Sequence, residues 1–576
     1  MCKPGKVCGT ESSLARSVDD REQLIRRGKT IDDGASSVGA QVVNHNDRQI
    51  RICDPHRMYE PFDVLALVVR RENENRTVRH GCIHSDKSLG GHSLVAVGRT
   101  TKWTWVLAAL LYLALGLWTV TVPLFASPDE PANFVKSAAI VRGDLVGDAV
   151  TPETLKSYWT TTVDIDPQFG SVNGLPWCFA PYPEKPACTY DVATAPQVDG
   201  VAWTNMGKYP PLGFFFTGVG TIFGPTNLAV YASRIVQVVA CMVLLAGSAT
   251  VLWRRGRSVS GLLVALTPGT VFLAATSSPS GLEIVASIAT WIAAPLVLSD
   301  SATRVERMLF LIGGVLLIGV RPLGVIFYGV ILVLTLFLGR FSLRTAFRRI
   351  GVHTVVTHGL TILFMLWWYF AIYGPATDNK IAFGDVPLSF NQQLDAIVRG
   401  LPRIFEQYIG NFGWLDTPAP QSVVWLGVAS LGALGIAVGR SISPRQWFVV
   451  GFLLVASVAF TIVADFNYYE LLRTFGSQGR HVAPFLVGIP IVLGAGMRRG
   501  SKILVPIGAA WAISMVWSFM VMVRRYSVGV VPGNFMEMWN DPPWVPPLGM
   551  STTFAAMTLV VVGGLWLLWR EESRIK

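Results

Sequence analysis

Long apolar runs recur along this chain between residues 103 and 569, and they constrain its fold more than any other feature. The apolar core of a bilayer is about 30 Å thick, so a helix needs roughly 20 mostly apolar residues to cross it. Hydrophobic residues make up 51% of the 576 positions and charged residues only 15%, which excludes a soluble protein of this size. A membrane β-barrel would show short alternating segments instead. The sequence therefore predicts an all-α polytopic membrane protein.

We expect a bundle of about twelve transmembrane helices, with both termini inside. The apolar runs lie at about 103–125, 212–223, 228–252, 258–277, 281–299, 308–320, 322–339, 352–373, 422–438, 446–463, 482–497, 503–523 and 551–569. If every run crossed, the loops 374–421 and 465–481 would share a side with the basic segments that should be cytoplasmic. Either 308–320 and 322–339 form one helix kinked at Arg321-Pro322, or 212–223 is re-entrant. The first alternative leaves Arg254–Arg257 outside, against the positive-inside tendency.

The net charge of +11 comes from arginines and lysines that cluster between the apolar runs. Such clusters orient membrane proteins, and they predict no nucleic-acid partner. Arg99 and Lys102 precede the first run and place the N-terminus inside. Residues 1–98 are polar and lack a sustained apolar period, which predicts a disordered cytoplasmic segment ahead of a transmembrane domain over 99–576. No secretory signal is visible at the start.

Three loops are expected outside the cell: 126–208, 374–421 and 465–481. The first of them contains Cys178 and Cys188, which form the one plausible disulfide if this loop is external. Its Ala132–Leu145 stretch has the apolar period of a helix lying along the membrane surface. A long ordered loop is more often functional than idle.

Two adjacent carboxylates, Asp129 and Glu130, directly follow the first apolar run. Pro128 and Pro131 bracket them, and proline stiffens the backbone at a turn. A carboxylate at a water–lipid boundary can act as a general base or a cation ligand. The alternative is that Asp129 only caps the helix that begins near Pro131.

Other polar residues gather at the ends of apolar runs. Arg480 can hold a phosphate through its donor fork, and Arg321 is either a phosphate ligand or a snorkelling side chain. For Lys208, Tyr209, Trp414 and His481, an ordinary interfacial or capping role competes with ligand binding. The remaining candidates in these clusters are Asp416 and Gln478. The sequence contains no Walker A, dinucleotide-binding or H-E-x-x-H motif. We therefore expect no particular cofactor and identify no metal site, although a divalent cation is compatible with the sequence.

Four motifs in order resemble the DUF2142 family of bacterial membrane proteins, which is itself similar to the GT-C superfamily of polyprenol-dependent glycosyltransferases. They are Pro128-Asp129-Glu130-Pro131, Tyr209-Pro210-Pro211-Leu212, Phe412-Gly413-Trp414-Leu415-Asp416 and Gln478-Gly479-Arg480-His481-Val482-Ala483-Pro484. The resemblance covers residues 103–525. It departs at His481, where an aromatic is expected, and at Ser280, where the family often shows Asp.

The resemblance implies a GT-C-like bundle in the bacterial plasma membrane, with its active site on the extracytoplasmic face. Asp129 would be the catalytic base, with Glu130 as an alternative or helper. The donor would be a sugar on a polyprenyl phosphate, whose phosphate needs cations such as Arg480, Lys208 and Arg321. A single displacement onto a cell-envelope glycan or lipid acceptor would invert the anomeric centre. The competing hypotheses are a flippase or transporter of lipid-linked sugars and a non-catalytic envelope assembly protein.

Overall fold

A computed structural model describes residues 88–150, 160–197, 200–374, 388–472, 474–530 and 533–573. All of them belong to one compact unit, Lys87–Lys576. Most of the predicted N-terminal segment, residues 1–87, lies outside the described residues. The first helix begins at Ser88, ten residues before the predicted end of that segment.

The described chain is mostly helical. Its helices are α1 Ser88–Thr121, α2 Glu130–Val141, α3 Leu212–Gly220, α4 Asn227–Arg254, α5 Ser260–Ala265, α6 Pro268–Ala274, α7 Pro279–Val297, α8 Arg304–Val320, α9 Gly324–Gly339, α10 Leu343–Ile350, α11 Val352–Trp368, α12 Phe390–Ile409, α13 Gln421–Val438, α14 Pro444–Leu472, α15 Gly479–Leu486, α16 Gly488–Gly494, α17 Leu504–Val528 and α18 Met550–Ser573. The short strands are β1 Asp148–Ala149, β2 Thr161–Val163, β3 Ala202–Thr204, β4 Asn411–Phe412 and β5 Thr417–Pro418.

Eight helices in the described part of the chain are long and apolar enough to cross a membrane, or nine if α9 and α10, bent by 110°, count as one span. The predicted all-α polytopic fold is confirmed, whereas the number of twelve crossings is not. Two of the predicted runs are short apolar helices, Leu212–Phe223 and Gly479–Gly494. At 1.5 Å per residue, neither matches the thickness of the apolar core as a straight helix.

The runs 308–320 and 322–339 are two helices, α8 and α9, that turn back on each other at Arg321-Pro322. Arg321 lines a cavity together with Ser280, near the start of α7. Leu338, near the end of α9, lines a different cavity with Leu296, near the end of α7. The two helices therefore run in opposite directions rather than forming one kinked helix. For the other alternative, a re-entrant 212–223, the structure shows a short apolar helix over Leu212–Phe223.

The bundle has two ends, which we call the site end and the basic end. The site end carries Asp129 and Arg321. The basic end carries Arg257, whose backbone forms an isolated antiparallel β-bridge with that of Arg498. Arg257 also lines a cavity together with Phe341. The arginine clusters near residues 255, 340 and 498 thus lie on one face, as the positive-inside tendency requires.

The loop between α1 and α3 folds over the site end. A three-stranded antiparallel sheet, ordered β1-β2-β3, packs with α2 around a small apolar core. Phe134 of α2 contacts Phe125 and Phe169 edge to face or tilted, with ring centroids 5.8 and 5.7 Å apart. A disulfide joins Cys178 to Cys188. Strands β4 and β5 form a separate two-stranded ribbon between α12 and α13.

Candidate functional site

Asp129 sits on a tight turn between α1 and α2. Its φ of 62° is in the left-handed region, which Asp tolerates better than most residues. It occupies the N-cap position of α2, but its side chain makes no capping hydrogen bond. The carboxylate instead accepts a hydrogen bond from Arg480 Nη2 at 2.7 Å and stays 31% exposed. The capping alternative is therefore not realised, and the carboxylate is directed to a cation from a distant part of the chain.

Glu130, the adjacent carboxylate, points into the protein. Arg234 of α4 donates to it twice, Nε to Oε1 and Nη2 to Oε2, each at 2.7 Å. Neither side chain is exposed. Arg234 also donates to the carbonyls of Thr119, Val122 and Pro123 at the end of α1. This pair fixes the turn that presents Asp129, because unpaired carbonyls at a helix end need donors.

Arg480 is held near Asp129 by the way α15 begins. Asp465 accepts the backbone N–H groups of Gly476 and Ser477, which shapes the approach to α15. Gly479 then lies against α12, where a Cβ would come within 2.3 Å of the backbone nitrogen of Tyr408. Only glycine permits this approach without a shift of backbone, so the motif needs Gly479 for packing and presents Arg480 one residue later.

Arg321 supplies a second guanidinium group, at the turn between α8 and α9. It donates to Ser280 Oγ at 3.1 Å and lies 3.5 Å from Glu283 Oε2. Glu283 is 1% exposed, and its other oxygen has no hydrogen-bond partner in the described part of the chain. A buried carboxylate without a cation is strongly unfavourable, so Glu283 anchors Arg321 at the base of the site.

These groups line one cavity of about 280 Å³ at the site end. Six of the predicted site residues lie on its wall: Asp129, Tyr209, Arg321, Gln478, Arg480 and His481. The other lining residues that sequence reasoning missed are mostly polar: Asn133, Asn205, Met206, Phe214, Ser278, Pro279, Ser280, Tyr468 and Gly476. The cavity thus combines one partly exposed carboxylate with two arginines and several neutral donors and acceptors.

Four predicted site residues do not line this cavity. Glu130 is the buried partner of Arg234. Trp414 donates its indole N–H to the carbonyl of Phe125 at 3.0 Å, and Asp416 accepts from Arg525 at 2.7 Å. The carbonyl of Lys208 accepts the indole N–H of Trp368. These contacts tie the loops of the site end together, so the 410–418 segment supports the turn before Asp129 rather than forming the cavity.

Three buried polar atoms among the lining residues have no hydrogen-bond partner within the described chain. They are Arg480 Nε, a donor, and the acceptors Asn205 Oδ1 and Gln478 Oε1. Buried polar groups are nearly always paired, and each exception needs an explanation. A bound ligand with an anionic acceptor and two hydroxyl donors would pair all three atoms.

Lys136 of α2 supports the wall of the cavity from behind. It is fully buried and donates to the carbonyls of Leu145 and Gly207. Burial lowers the pKa of Lys136 to about 7, although nearby Asp144 raises it. Because Gly207 precedes Lys208 and Tyr209, this contact connects α2 to the segment that carries Tyr209.

Sequence reasoning missed Arg234, Gln237 and Glu283, which all lie inside apolar runs. Gln237 donates to carbonyls of the 273–278 segment, and so holds the backbone that leads to the lining residue Ser278. A charged residue within a membrane run is by itself a signal of function or structure, and that signal was available here. No group of three or more metal-ligating side chains occurs within the described ranges.

Comparison of the sequence with known protein families identifies one match. The family model described as "Predicted membrane protein (DUF2142)" matches residues 111–489. Among solved structures, the chain is similar to ArnT from Cupriavidus metallidurans, in the apo state and bound to undecaprenyl phosphate. Both have 13% sequence identity and a TM-score of 0.41, covering 82% of this chain and 77% or 78% of that chain. None of the curated proteins matches this sequence.

Proposed function

We propose that this chain, which belongs to the DUF2142 family of membrane proteins, is a glycosyltransferase that uses a polyprenyl-phosphate sugar as donor. The reaction moves the sugar to a hydroxyl of a cell-envelope glycan or lipid acceptor, with inversion. Asp129 is the general base. The site end faces outwards, because the basic end has the composition of a cytoplasmic face.

One observation carries this proposal: Asp129, Arg321 and Arg480 line the same cavity at the end of an apolar bundle. A carboxylate that accepts a proton and cations that stabilise a leaving phosphate are the two requirements of such a transfer. The position at a helix end suits a donor whose lipid tail stays in the bilayer while its sugar enters the cavity.

In the reaction, the acceptor hydroxyl oxygen attacks the anomeric carbon while its proton passes to Asp129. The bond between the anomeric carbon and the phosphate oxygen breaks, and its electron pair leaves with the polyprenyl phosphate. Arg480 and Arg321 stabilise this developing charge through charge-assisted hydrogen bonds. Asn133 and Asn205, both on the cavity wall, are placed to bind sugar hydroxyls.

The ion pair between Asp129 and Arg480 implies that the donor binds before Asp129 accepts a proton. Arg480 Nη2 donates a hydrogen bond to Asp129 Oδ2 at 2.7 Å, so this oxygen is occupied before a donor binds. A donor phosphate competes with Asp129 for Arg480. Donor binding therefore releases Asp129 to accept the proton of the acceptor.

The test is a purified, full-length protein in proteoliposomes, supplied with a panel of polyprenyl-phosphate sugars and an isolated envelope fraction as acceptor source. We expect one donor to be consumed, with release of polyprenyl phosphate. Asp129→Asn should slow that release by about 10²- to 10⁴-fold, the usual contribution of a general base.

The matched control is Asp164→Asn, which removes an exposed carboxylate from the same loop outside the cavity. It should retain the wild-type rate. Unchanged transfer in Asp129→Asn would exclude Asp129 as base. Binding or translocation of every donor without transfer would favour the flippase hypothesis instead.

A further inference from the structure

A second cavity, of about 660 Å³, lies at the basic end of the bundle. Its polar lining consists of Arg255, Arg257, Ser258, Ser299, Thr335, Ser443 and Gln446. It is more than twice the size of the cavity that contains Asp129. The proposed transfer reaction uses none of these residues.

The two cavities lie at opposite ends of the same helix. Helix α7 contributes Pro279 and Ser280 to the first cavity, and Pro295 and Leu296 to the second. Pro279 and Leu296 differ by 17 in residue number, so at 1.5 Å per residue they lie about 26 Å apart along the helix, which is comparable with the thickness of the apolar core of a bilayer. The second cavity is therefore at the depth of the other headgroup layer.

Two arginines line the second cavity. Arg255 is held by Glu306 through two hydrogen bonds of 2.6 and 2.7 Å. Arg257 is exposed and donates through Nη1 to the carbonyl of Ala495. No acidic side chain is among the residues that line the cavity in the described part of the chain. Glu572, behind the wall, accepts hydrogen bonds from Ser258 Oγ and from the backbone N–H of Val259, so no carboxylate on the wall itself opposes an anion at Arg257.

The rest of the lining is apolar. It includes Leu252, Leu262, Ile292, Leu296, Leu338 and Val492. A soluble anion would leave these walls without apolar partners, whereas a molecule with an anionic head and hydrocarbon chains would contact both parts. Basic pockets between membrane helices at a cytoplasmic face bind anionic lipid headgroups for this reason.

The neighbouring helix α10 indicates that lipid headgroups lie at this level. Leu343 and Phe347, one turn apart, are 67% and 59% exposed. Arg344 and Arg348 follow each of them and are also exposed. A short helix with exposed apolar residues beside arginines is typical of an element lying in the headgroup layer. Phe341, just before α10, lines the cavity itself.

We infer that the second cavity binds an anionic phospholipid of the membrane leaflet at the basic end, with its phosphate at Arg257 and its acyl chains along the apolar wall. This site is independent of the proposed transfer reaction. It adds a lipid that is neither donor nor acceptor.

The experiment uses the full chain, purified and stripped of lipid in a neutral detergent. Phosphatidylglycerol is added, with phosphatidylcholine and soluble glycerol phosphate as separate probes, and the thermal midpoint is measured. We expect phosphatidylglycerol to raise the midpoint by several degrees, and the two other probes to have less than a third of that effect. Native mass spectrometry should retain one phosphatidylglycerol per chain.

The variant Arg257→Gln should lose at least half of the shift and the retained lipid. Its matched control is Arg254→Gln, which removes an exposed arginine of the same segment that does not line the cavity. Comparing shifts, rather than absolute midpoints, corrects for any basal change in stability. Equal loss in both variants, an equal shift with phosphatidylcholine, or an equal shift with glycerol phosphate would each overturn the inference.

Discussion

Asp129 and Glu130 are neighbours in the chain, and each is paired with an arginine at 2.7 Å, yet the two ion pairs differ in almost every other respect. Glu130 and Arg234 are both completely buried, and the pairing is bidentate. Asp129 is 31% exposed and Arg480 11% exposed, and only one hydrogen bond joins them. The Arg234 pair also holds three backbone carbonyls, whereas Arg480 keeps one buried nitrogen without a partner.

Burial decides which of these two carboxylates can react. A fully buried pair cannot exchange partners without leaving a charge unsolvated, so it serves as structure. A pair on a cavity wall can exchange its partner for a ligand at small cost, because its charges remain partly solvated. The turn between α1 and α2 separates these roles by sending successive side chains in opposite directions.

The largest effect should come from breaking the buried pair. We expect Arg234→Met to lower the free energy of unfolding by about 3–5 kcal/mol, because Glu130 would be left buried without a cation. Asp129→Asn should change it by less than about 1 kcal/mol. Thermal denaturation in detergent, with size-exclusion profiles of both variants, compares the two. Equal destabilisation would remove the distinction between the pairs.

The next effect concerns the exposed partner. Arg480→Gln should raise the KM for the donor about 10- to 100-fold, since a charge-assisted hydrogen bond to the phosphate is lost. Its control, Arg399→Gln, removes an arginine from an exposed pair with Asp395 and should leave KM unchanged. A change in thermal stability with an unchanged KM would show that Arg480 is structural.

A smaller effect tests how Arg480 is placed. Gly479→Ala adds a Cβ against the backbone of Gln407 and Tyr408, so α15 must shift, at a cost of about 1–3 kcal/mol. Transfer should fall with stability. Gly432→Ala is the matched control, because nothing lies within 4 Å of its added Cβ. Wild-type behaviour of Gly479→Ala would mean that this close approach does not position Arg480.

The smallest expected effect is a pH dependence of stability that comes from Lys136, behind the cavity wall. The folded pKa of Lys136, about 7, is below the 10.5 of the free side chain, so the unfolded chain binds the extra proton between these values. Stability should therefore rise with pH in this window, by about 1 kcal/mol between pH 7 and 8. Lys136→Met should lose this rise, and Lys185→Met, an exposed lysine, should keep it. A rise that persists in Lys136→Met would assign it to another group.

The sequence predicted the all-α membrane fold because apolar length alone determines it. It could not settle the number of crossings, because a broken helix and a short one leave similar runs. The turn at Arg321-Pro322 illustrates this difficulty. A proline after an arginine is compatible with a kink or a reversal, and only the positions of the helix ends distinguish the two.

Those residues of the candidate site that lie in short sequence motifs could be predicted. Asp129 and Arg480 are 351 residues apart, yet both stood in motifs at helix ends. The sequence could not tell Asp129 from Glu130, because the direction of each side chain depends on the left-handed turn at Asp129. It also placed Asp416 in the site, whereas Arg525 binds that carboxylate elsewhere. Such pairings between distant segments have no local signature.

The most direct test measures donor affinity and transfer rate separately in Asp129→Asn. We expect this variant to bind the polyprenyl-phosphate donor at least as tightly as the wild type, because Arg480 no longer has a competing carboxylate. In a single turnover, it should transfer the sugar at least about 100-fold more slowly. A variant that loses donor binding, or that transfers at the wild-type rate, would contradict the role of Asp129 as the base.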